Sequence, residues 1–376
     1  MEEWIKCPLG DILNFRRGHD LPKTSMIPGD IPVAGSNGII GFHNVATPIS
    51  PCITIGRSGN VGTPYIYDKC WAHNTVLYID DHKGNDPRYL YYLLKTLPLA
   101  SFGGGSAVPT LNRNHIHPLE VVFCKDIELQ KKVAGILSKI DDKIELNRQI
   151  NDNLEQQAQA LYKSWFVDFE PFKDGEFVES EFGLIPKTWR VGALSDLAEI
   201  TMGQSPSGKS YNENGEGMLF YQGRAEFGER YPSIRLYTTE PSRIAEQNSV
   251  LLSVRAPVGD TNIAFNKCCI GRGLASIKAK HGFNSFIFYM IKSLKDQFDL
   301  YNGEGTVFGS INRDSLNSMK VIVPTNDVIS DFEKIVAPLD FKYKSLFTEN
   351  LLLTQQRDTL LPKLMSGELK INEIDC

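Results

Sequence analysis

Residues 126–168 read DIELQKKVAGILSKIDDKIELNRQINDNLEQQAQALYKSWFVD. Within them Val133, Leu137, Ile140, Ile144, Asn147, Asn151, Leu154, Ala158, Leu161 and Trp165 recur at alternating steps of four and three. Such steps keep one stripe of a helix facing a partner along its whole length, which marks a coiled-coil seam. About two hundred residues later Phe332, Val336, Leu339, Tyr343, Leu346, Asn350, Leu353, Arg357, Leu360 and Leu364 repeat the pattern. Each helix then runs for roughly 40 residues, or about 60 Å at 1.5 Å per residue. Asn151 and Asn350 hold equivalent seam positions. A buried amide there costs stability but fixes register. The two helices are therefore expected to pair within one chain rather than between chains. The residues expected to make that pairing are Ile140, Ile144, Asn151, Leu154 and Leu161 with Leu339, Tyr343, Leu346, Asn350, Leu353 and Leu360. Pro338 predicts a late start or a kink in the second helix.

The rest of the chain is duplicated as well. WIKCPLGDIL (4–13) matches WRVGALSDLA (189–198), YLYYLLK (89–95) matches FIFYMIK (286–292), and GSAVPTLNR (105–113) matches GTVFGSINR (305–313). Finally QQAQAL (156–161) matches QQRDTL (355–360), so the order is kept throughout. A tandem repeat supplies two copies of one unit, and a function that needs two similar sites follows. Ahead of each long helix lies a mosaic of short β-type runs broken by Gly and Pro, such as CITIGRSGNVGTPYIY (52–67), NTVLYID (74–80) and NSVLLSVRAPVGDTNIAF (248–265). One helical segment sits in each, Pro87–Thr96 and Asn284–Phe298.

The expected architecture is α+β, with two similar α/β domains separated by two long antiparallel coiled-coil helices and related by a pseudo-two-fold repeat. Its boundaries are 1–125 and 189–325 for the domains, 126–168 and 326–369 for the helices, 169–188 for an acidic linker and 370–376 for a tail.

Composition sets the class. The chain has 376 residues, 41% hydrophobic and 23% charged, the proportions of an ordinary soluble protein. The first residues, MEEWIKCPLG, lack the basic and apolar regions of a secretory leader, and no run of 18 apolar residues occurs. No membrane partner and a cytoplasmic location are expected. Seven cysteines form no CxxC pair, as suits reduced thiols. The formal charge of −5 is concentrated in Asp168–Glu181, which holds six acids and one lysine, so the remainder is near neutral. Only a local basic face could then carry nucleic-acid binding.

Several apparent catalytic motifs lack their context. Gly203–Ser210 (GQSPSGKS) fits the phosphate-loop pattern by letter. The mechanism needs a helix directly after it, whereas YNENGEGM follows and Pro206 removes an amide. Asp86-Pro87-Arg88-Tyr89 resembles an adenine-methyltransferase loop with Arg at the third place, and no glycine-rich turn for a methyl donor accompanies it. The Asp-x-Lys triplets at 81–83 and 141–143 are too common to indicate a nuclease. The histidines form no metal-ligand spacing, although His115 and His117 alternate in what reads as a strand. No catalytic residue, metal site or cofactor is expected in this chain.

What remains are polar loops, open to two readings: plain hairpin turns and domain-to-helix junctions, or loops that enter the groove of a nucleic acid. GRSGNVG (56–62) and SVRAPVGD (253–260) each place an Arg in a tight turn between β runs. A guanidinium there can read guanine and an amide adenine. Gly103–Arg113 and Gly303–Arg313 are rich in Gly, Ser and Thr, end in Asn-Arg, and offer amides to phosphates. The candidate DNA contacts are Arg57, Ser58, Asn60, Arg113, Arg224, Arg255 and Arg313.

Over essentially its whole length the chain resembles the specificity subunits of Type I restriction-modification systems. The resemblance is carried by Val133–Phe169, including LEQQAQALYKSWFVDFEPF (154–172), by TQQRDTLLPKLMSGEL (354–369), and by LAEITMGQSPSGKSYNE (197–213). It implies two target recognition domains, each reading half of a bipartite site in double-stranded DNA, with helix length setting the unread spacer. It also implies docking of two methylation subunits on the helices and, through them, of restriction subunits. S-adenosylmethionine, ATP and Mg would belong to those partners. The chain itself would supply specificity and no chemistry. The rivals are a coiled-coil scaffold that binds protein and no DNA, and an NTPase at Gly203–Ser210.

Overall fold

The computed structural model describes residues 4–103, 109–255, 257–302 and 309–370. The chain divides into two units, Met1–Arg148 with Phe347–Cys376, and Gln149–Leu346. The division runs through the long helices, so each unit owns a domain and a segment of both helices.

In the first unit Trp4–Pro8 pairs antiparallel with Glu120–Cys124, bringing the ends of the domain together. Between them lies a four-stranded sheet in the order Asn14–Arg17, Val76–Asp81, Cys52–Gly56, Pro64–Tyr67, beside a three-stranded one of Gly38–His43, Ile31–Gly35 and Trp71–Ala72. The second unit repeats the plan. Arg190–Ala193 pairs with Lys320–Val323. Its four-stranded sheet runs Ala198–Met202, Leu274–Ala279, Val250–Val254, Val258–Ile263, and a five-stranded sheet stands beside it.

The long helices span Ile127–Phe166 and Asn326–Ser366. The first begins where Asp126 Oδ1 accepts from the backbone N–H groups of Glu128 and Leu129, at 2.9 and 3.3 Å. That satisfies donors which the helix itself leaves open. In the first unit the helices run antiparallel: Asn147 donates to Asn350 at 2.9 Å, and Arg357 donates to Asp141 at 2.7 Å. In the second unit Tyr162 and Phe166 meet Phe332, again antiparallel, with ring centroids 6.0 and 5.0 Å apart.

The structure corrects five expectations. The second helix does not start late: it begins at Asn326, ahead of Pro338, and stays helical through it. Toward the C-terminal ends the buried stripe shifts by one residue. Tyr162, Phe166, Leu361 and Met365 are buried, while Leu161, Trp165 and Leu360 are only half-buried. A helix with 3.6 residues per turn drifts away from a 3.5-residue seam, and at these ends it faces a domain as well as a helix. The inner helix of the second copy is interrupted, running Asn284–Ser293 and then Lys295–Asp299, with Leu294 at φ −83°, ψ 10° between them. His115 and His117 lie on a short helix, Arg113–Ile116, and at its end; the strand begins only at Glu120.

Residues 169–188 are more than a linker. Phe177–Ser180 and Gly183–Pro186 form a hairpin, and Phe169 and Phe172 pack on Trp189 with centroids 5.5 and 5.0 Å away. Aromatic residues interleaved with the acids give this segment something to bury. The acids stay outside, with Glu181 paired to Lys320 at 2.6 Å.

One core in the first unit joins Leu9, Phe15, Ile55, Leu77, Tyr89 and Leu93 of the domain to Val133, Leu137, Leu361 and Leu364 of the helices. Gln130, fully buried, ties the junction: it donates to the Cys124 carbonyl at 2.8 Å and accepts from Asp86 N–H at 2.9 Å.

Candidate nucleic-acid interface

The turn after Cys52–Gly56 is built by glycine. A Cβ at Gly56 would lie 1.7 Å from the Asn60 carbonyl oxygen, and Gly59 and Gly62 hold φ of +82° and +81°. Side chains other than glycine rarely adopt those angles. The turn is thus held tight, and Arg57 stands at its start, directly after the strand. Arg57 N–H donates to the Thr75 carbonyl at 2.8 Å, and Leu111 N–H donates to the Arg57 carbonyl at 2.7 Å. Ser58 bridges Thr110. Two loops distant in sequence are therefore brought together at one end of the sheet. The stretch 104–108 of the second loop lies outside the described residues.

The Asn-Arg that ends this loop begins a helical turn: Asn112 Oδ1 accepts from Asn114 N–H at 3.0 Å, and Arg113 donates to the Phe15 carbonyl at 3.1 Å. Arg57 donates to the Asn74 carbonyl at 3.4 Å. With Arg16 and Arg17 of the adjacent strand, these side chains line a groove of about 420 Å³ whose other walls are Leu77 and Thr110–Asn112. Four guanidiniums and no carboxylate line it. Such a surface attracts phosphates and base-edge acceptors. Asn60 stays outside and accepts from Thr63 at 3.1 Å. His117, behind the groove, accepts from Phe15 N–H at 3.1 Å, and burial, helped by Arg113 and Lys83, holds its pKa below the ordinary value.

The second copy repeats the junction. Arg255 bridges Ser310, Ile311 N–H donates to the Val254 carbonyl at 3.2 Å, and Asn312 caps the turn that opens with Arg313 by accepting from Ser315 N–H at 2.8 Å. Arg255 and Arg313 are exposed. Arg224 is engaged differently, in an ion pair with Asp260. Residues 256 and 303–308 lie outside the description.

Sequence reasoning passed over Arg16 and Arg17. The signal for Arg16 was the alternation in Asn14–Arg17, where buried Phe15 places Asn14 and Arg16 on the other face; Arg17 had no such signal. The apparent phosphate loop is not one. After Gly203 the chain makes only the short turn Gly208–Ser210 and enters the strand Tyr211–Asn212, with Ser210 hydrogen-bonded to Thr238 at 2.7 Å. The adenine-loop look-alike is a helix cap, Asp86 accepting from Tyr89 N–H at 2.8 Å. Among the described residues no group of three or more His, Cys, Asp or Glu is placed to hold a metal, and no helix is long and apolar enough to cross a membrane.

A chain with two copies of an arginine-rimmed loop junction, each mounted on part of a helix pair, belongs to the class of duplicated binding modules. The Type I restriction modification DNA specificity domain matches it twice, at residues 1–156 and 186–336. The chain belongs to that family and is a Type I restriction-modification specificity subunit with two DNA-recognition domains. It is 35% identical over 295 residues to the putative type I restriction enzyme MjaX specificity subunit of Methanocaldococcus jannaschii, a match covering 76% of this chain and 69% of that protein. It is 28% identical over 318 residues to the HindI specificity subunit of Haemophilus influenzae, covering 65% and 68%. The crystal structure of the S subunit from M. genitalium shares the fold at a TM-score of 0.65 and 16% identity, with 96% of each chain covered.

Proposed function

We propose that each recognition domain binds half of a bipartite site in double-stranded DNA through its loop junction, and that the long helices set the spacer between halves. The observation that carries this reading is the groove of four guanidiniums in a chain whose net charge is −5. Arg57, Ser58, Asn60 and Arg113 serve the first half-site, and Arg224, Arg255 and Arg313 the second. Two modest readers at a fixed separation bind much more tightly together than either does alone. Two methylation subunits dock on the helices and recruit restriction subunits, all in the cytoplasm. The chemistry and its S-adenosylmethionine, ATP and Mg reside in those subunits. The specificity chain does no catalysis.

Expression with the methylation partner in a host lacking adenine methylation, followed by long-read mapping of modified adenines, tests this. The expected result is one bipartite motif with a constant spacer. A folded, bound partner that leaves the genome unmodified would refute it. A four-residue insertion near Gln149 should lengthen the spacer and leave both half-sites unchanged; an unaltered spacer removes the ruler role.

A further inference from the structure

The two copies share a frame and differ at three adjoining positions. Their registers align: Gly18 N–H donates to the Val76 carbonyl at 3.1 Å, and Gly203 N–H to the Leu274 carbonyl at 2.9 Å. Both glycines are forced by close approach, since a Cβ would lie 2.0 Å from the His73 carbonyl oxygen in one copy and 2.1 Å from that of Gly271 in the other. Arg17 therefore corresponds to Met202, Asp20 to Ser205, and Asn74 to Arg272. In the first copy Asn74 hydrogen-bonds Asp20, which lies 3.5 Å from Arg17. In the second, Arg272 N–H donates to Ser205 Oγ at 3.3 Å. The same positions adjoin in both copies with different chemistry.

Around them both copies keep the same loop junction. Arg113 matches Arg313, whereas Arg57 stands where the second copy has Val254 and Arg255 stands one place on, where the first copy has Ser58. With Arg16, the first copy carries four arginines and one aspartate at these positions. The second, with Thr201 in place of Arg16, carries three arginines and no acid, so the net charge is equal. Drift on a solvated rim has no reason to conserve that sum, whereas a groove that must hold a polyanion does.

We infer that Arg17, Asp20 and Asn74 in the first domain, and Met202, Ser205 and Arg272 in the second, select the bases, while the junction arginines Arg57 and Arg113, and Arg255 and Arg313, hold phosphates. This rests on the reading of the chain as a DNA specificity subunit. The carboxylate of Asp20 and the amide of Asn74 orient the Arg17 side of the groove toward guanine acceptors, and the amide of Asn74 also suits adenine. In the second domain Arg272 supplies the guanine reader and Met202 an apolar contact for a thymine methyl. Phosphate contacts position the protein without carrying sequence information.

The test uses the full chain with its methylation partner and a duplex library randomised at the first half-site, with the second fixed at the sequence found by methylation mapping. The combined substitution Arg17→Met, Asp20→Ser, Asn74→Arg should change or relax the selected first half-site, with preference at the affected pairs altered by roughly fivefold to 150-fold. The reciprocal set, Met202→Arg, Ser205→Asp, Arg272→Asn, should do the same to the second half-site. Arg113→Ala should weaken binding to all sequences and leave the selected one unchanged. An unchanged half-site in both triple variants overturns the inference. If either triple variant loses its cooperative melt, the surface substitutions Asn74→Arg and Arg272→Asn are read in its place. A wild-type chain that selects no bipartite site would instead sink the underlying reading, and the two failures are distinct.

Discussion

The same tyrosine–aspartate pair anchors both units, and each unit has given it a different cation. Tyr92 donates to Asp141 at 2.8 Å, and at the equivalent positions Tyr289 donates to Asp340 at 2.9 Å. Asp141 receives Arg357 from the other long helix, a partly exposed link between helices. Asp340 receives Arg230 from the recognition domain, 2% exposed, with its guanidinium 4.7 Å from the ring of Phe288 and 4.5 Å from that of Tyr343. In the first unit the cation ties helix to helix, and in the second it ties domain to helix. The helix ends differ in the same way. Tyr162 and Phe166, packed tilted or edge-on against Phe286, Phe332 and Trp189, stand where the first unit has Leu361 and Met365. A duplicated frame keeps its geometry while its chemistry diverges, because the packing volume and the hydrogen-bond acceptor are what the fold requires.

This contrast is open to attack at three points. Removing the cation should hurt the second unit most. Arg230→Ala leaves Asp340 and Glu155 facing a buried void and should cost about 3–5 kcal/mol, against roughly 1 kcal/mol for Arg357→Ala at its wetter site. Denaturant midpoints of the two variants measure the difference, and equal losses would mean that the two arginines do the same job. Trimming the helix ends comes next. Phe166→Ala should cost about 3–5 kcal/mol and Met365→Ala about 2–3 kcal/mol. If Met365→Ala proved the worse of the two, the aromatic cluster would not be the stronger junction.

The smallest effect concerns how the inner helices are capped. Asp86 caps the first from its own chain segment. The second borrows Glu333 from the long helix, which accepts from Phe286 N–H at 2.8 Å. Burial, only partly offset by those hydrogen bonds, pushes the Glu333 carboxyl up to about 7 from its usual 4.5. The folded state then holds that proton more tightly than the unfolded chain does. Its contribution to stability is full below pH 4.5 and is lost as pH rises through about 7. Glu333→Gln should flatten the fall in Tm over that window, while a slope identical to wild type would show that the carboxyl titrates normally.

The long helices were legible because their signal is periodic and local. A seam of apolar residues at steps of four and three specifies a helix wherever it occurs, and the capping acid Asp126 marks its start. The ends were misjudged because burial there depends on domains as well as on the partner helix, which is why Tyr162 and not Leu161 is buried. Arg57, Arg113, Arg255 and Arg313 were picked out by their turns, yet the groove that unites the first pair with Arg16 and Arg17 was invisible. It is assembled from residues almost a hundred positions apart.

By itself the sequence determined the duplication, the paired helices, the family and the absence of a working phosphate loop. Each of these depends on repetition, periodicity or neighbouring residues, all of which are local properties of a string. Tertiary structure alone decided the strand order, the division through the helices, the buried Arg230 and the grouping of four guanidiniums in one groove. Those follow from which surfaces close on one another, and that depends on every side chain packed between them.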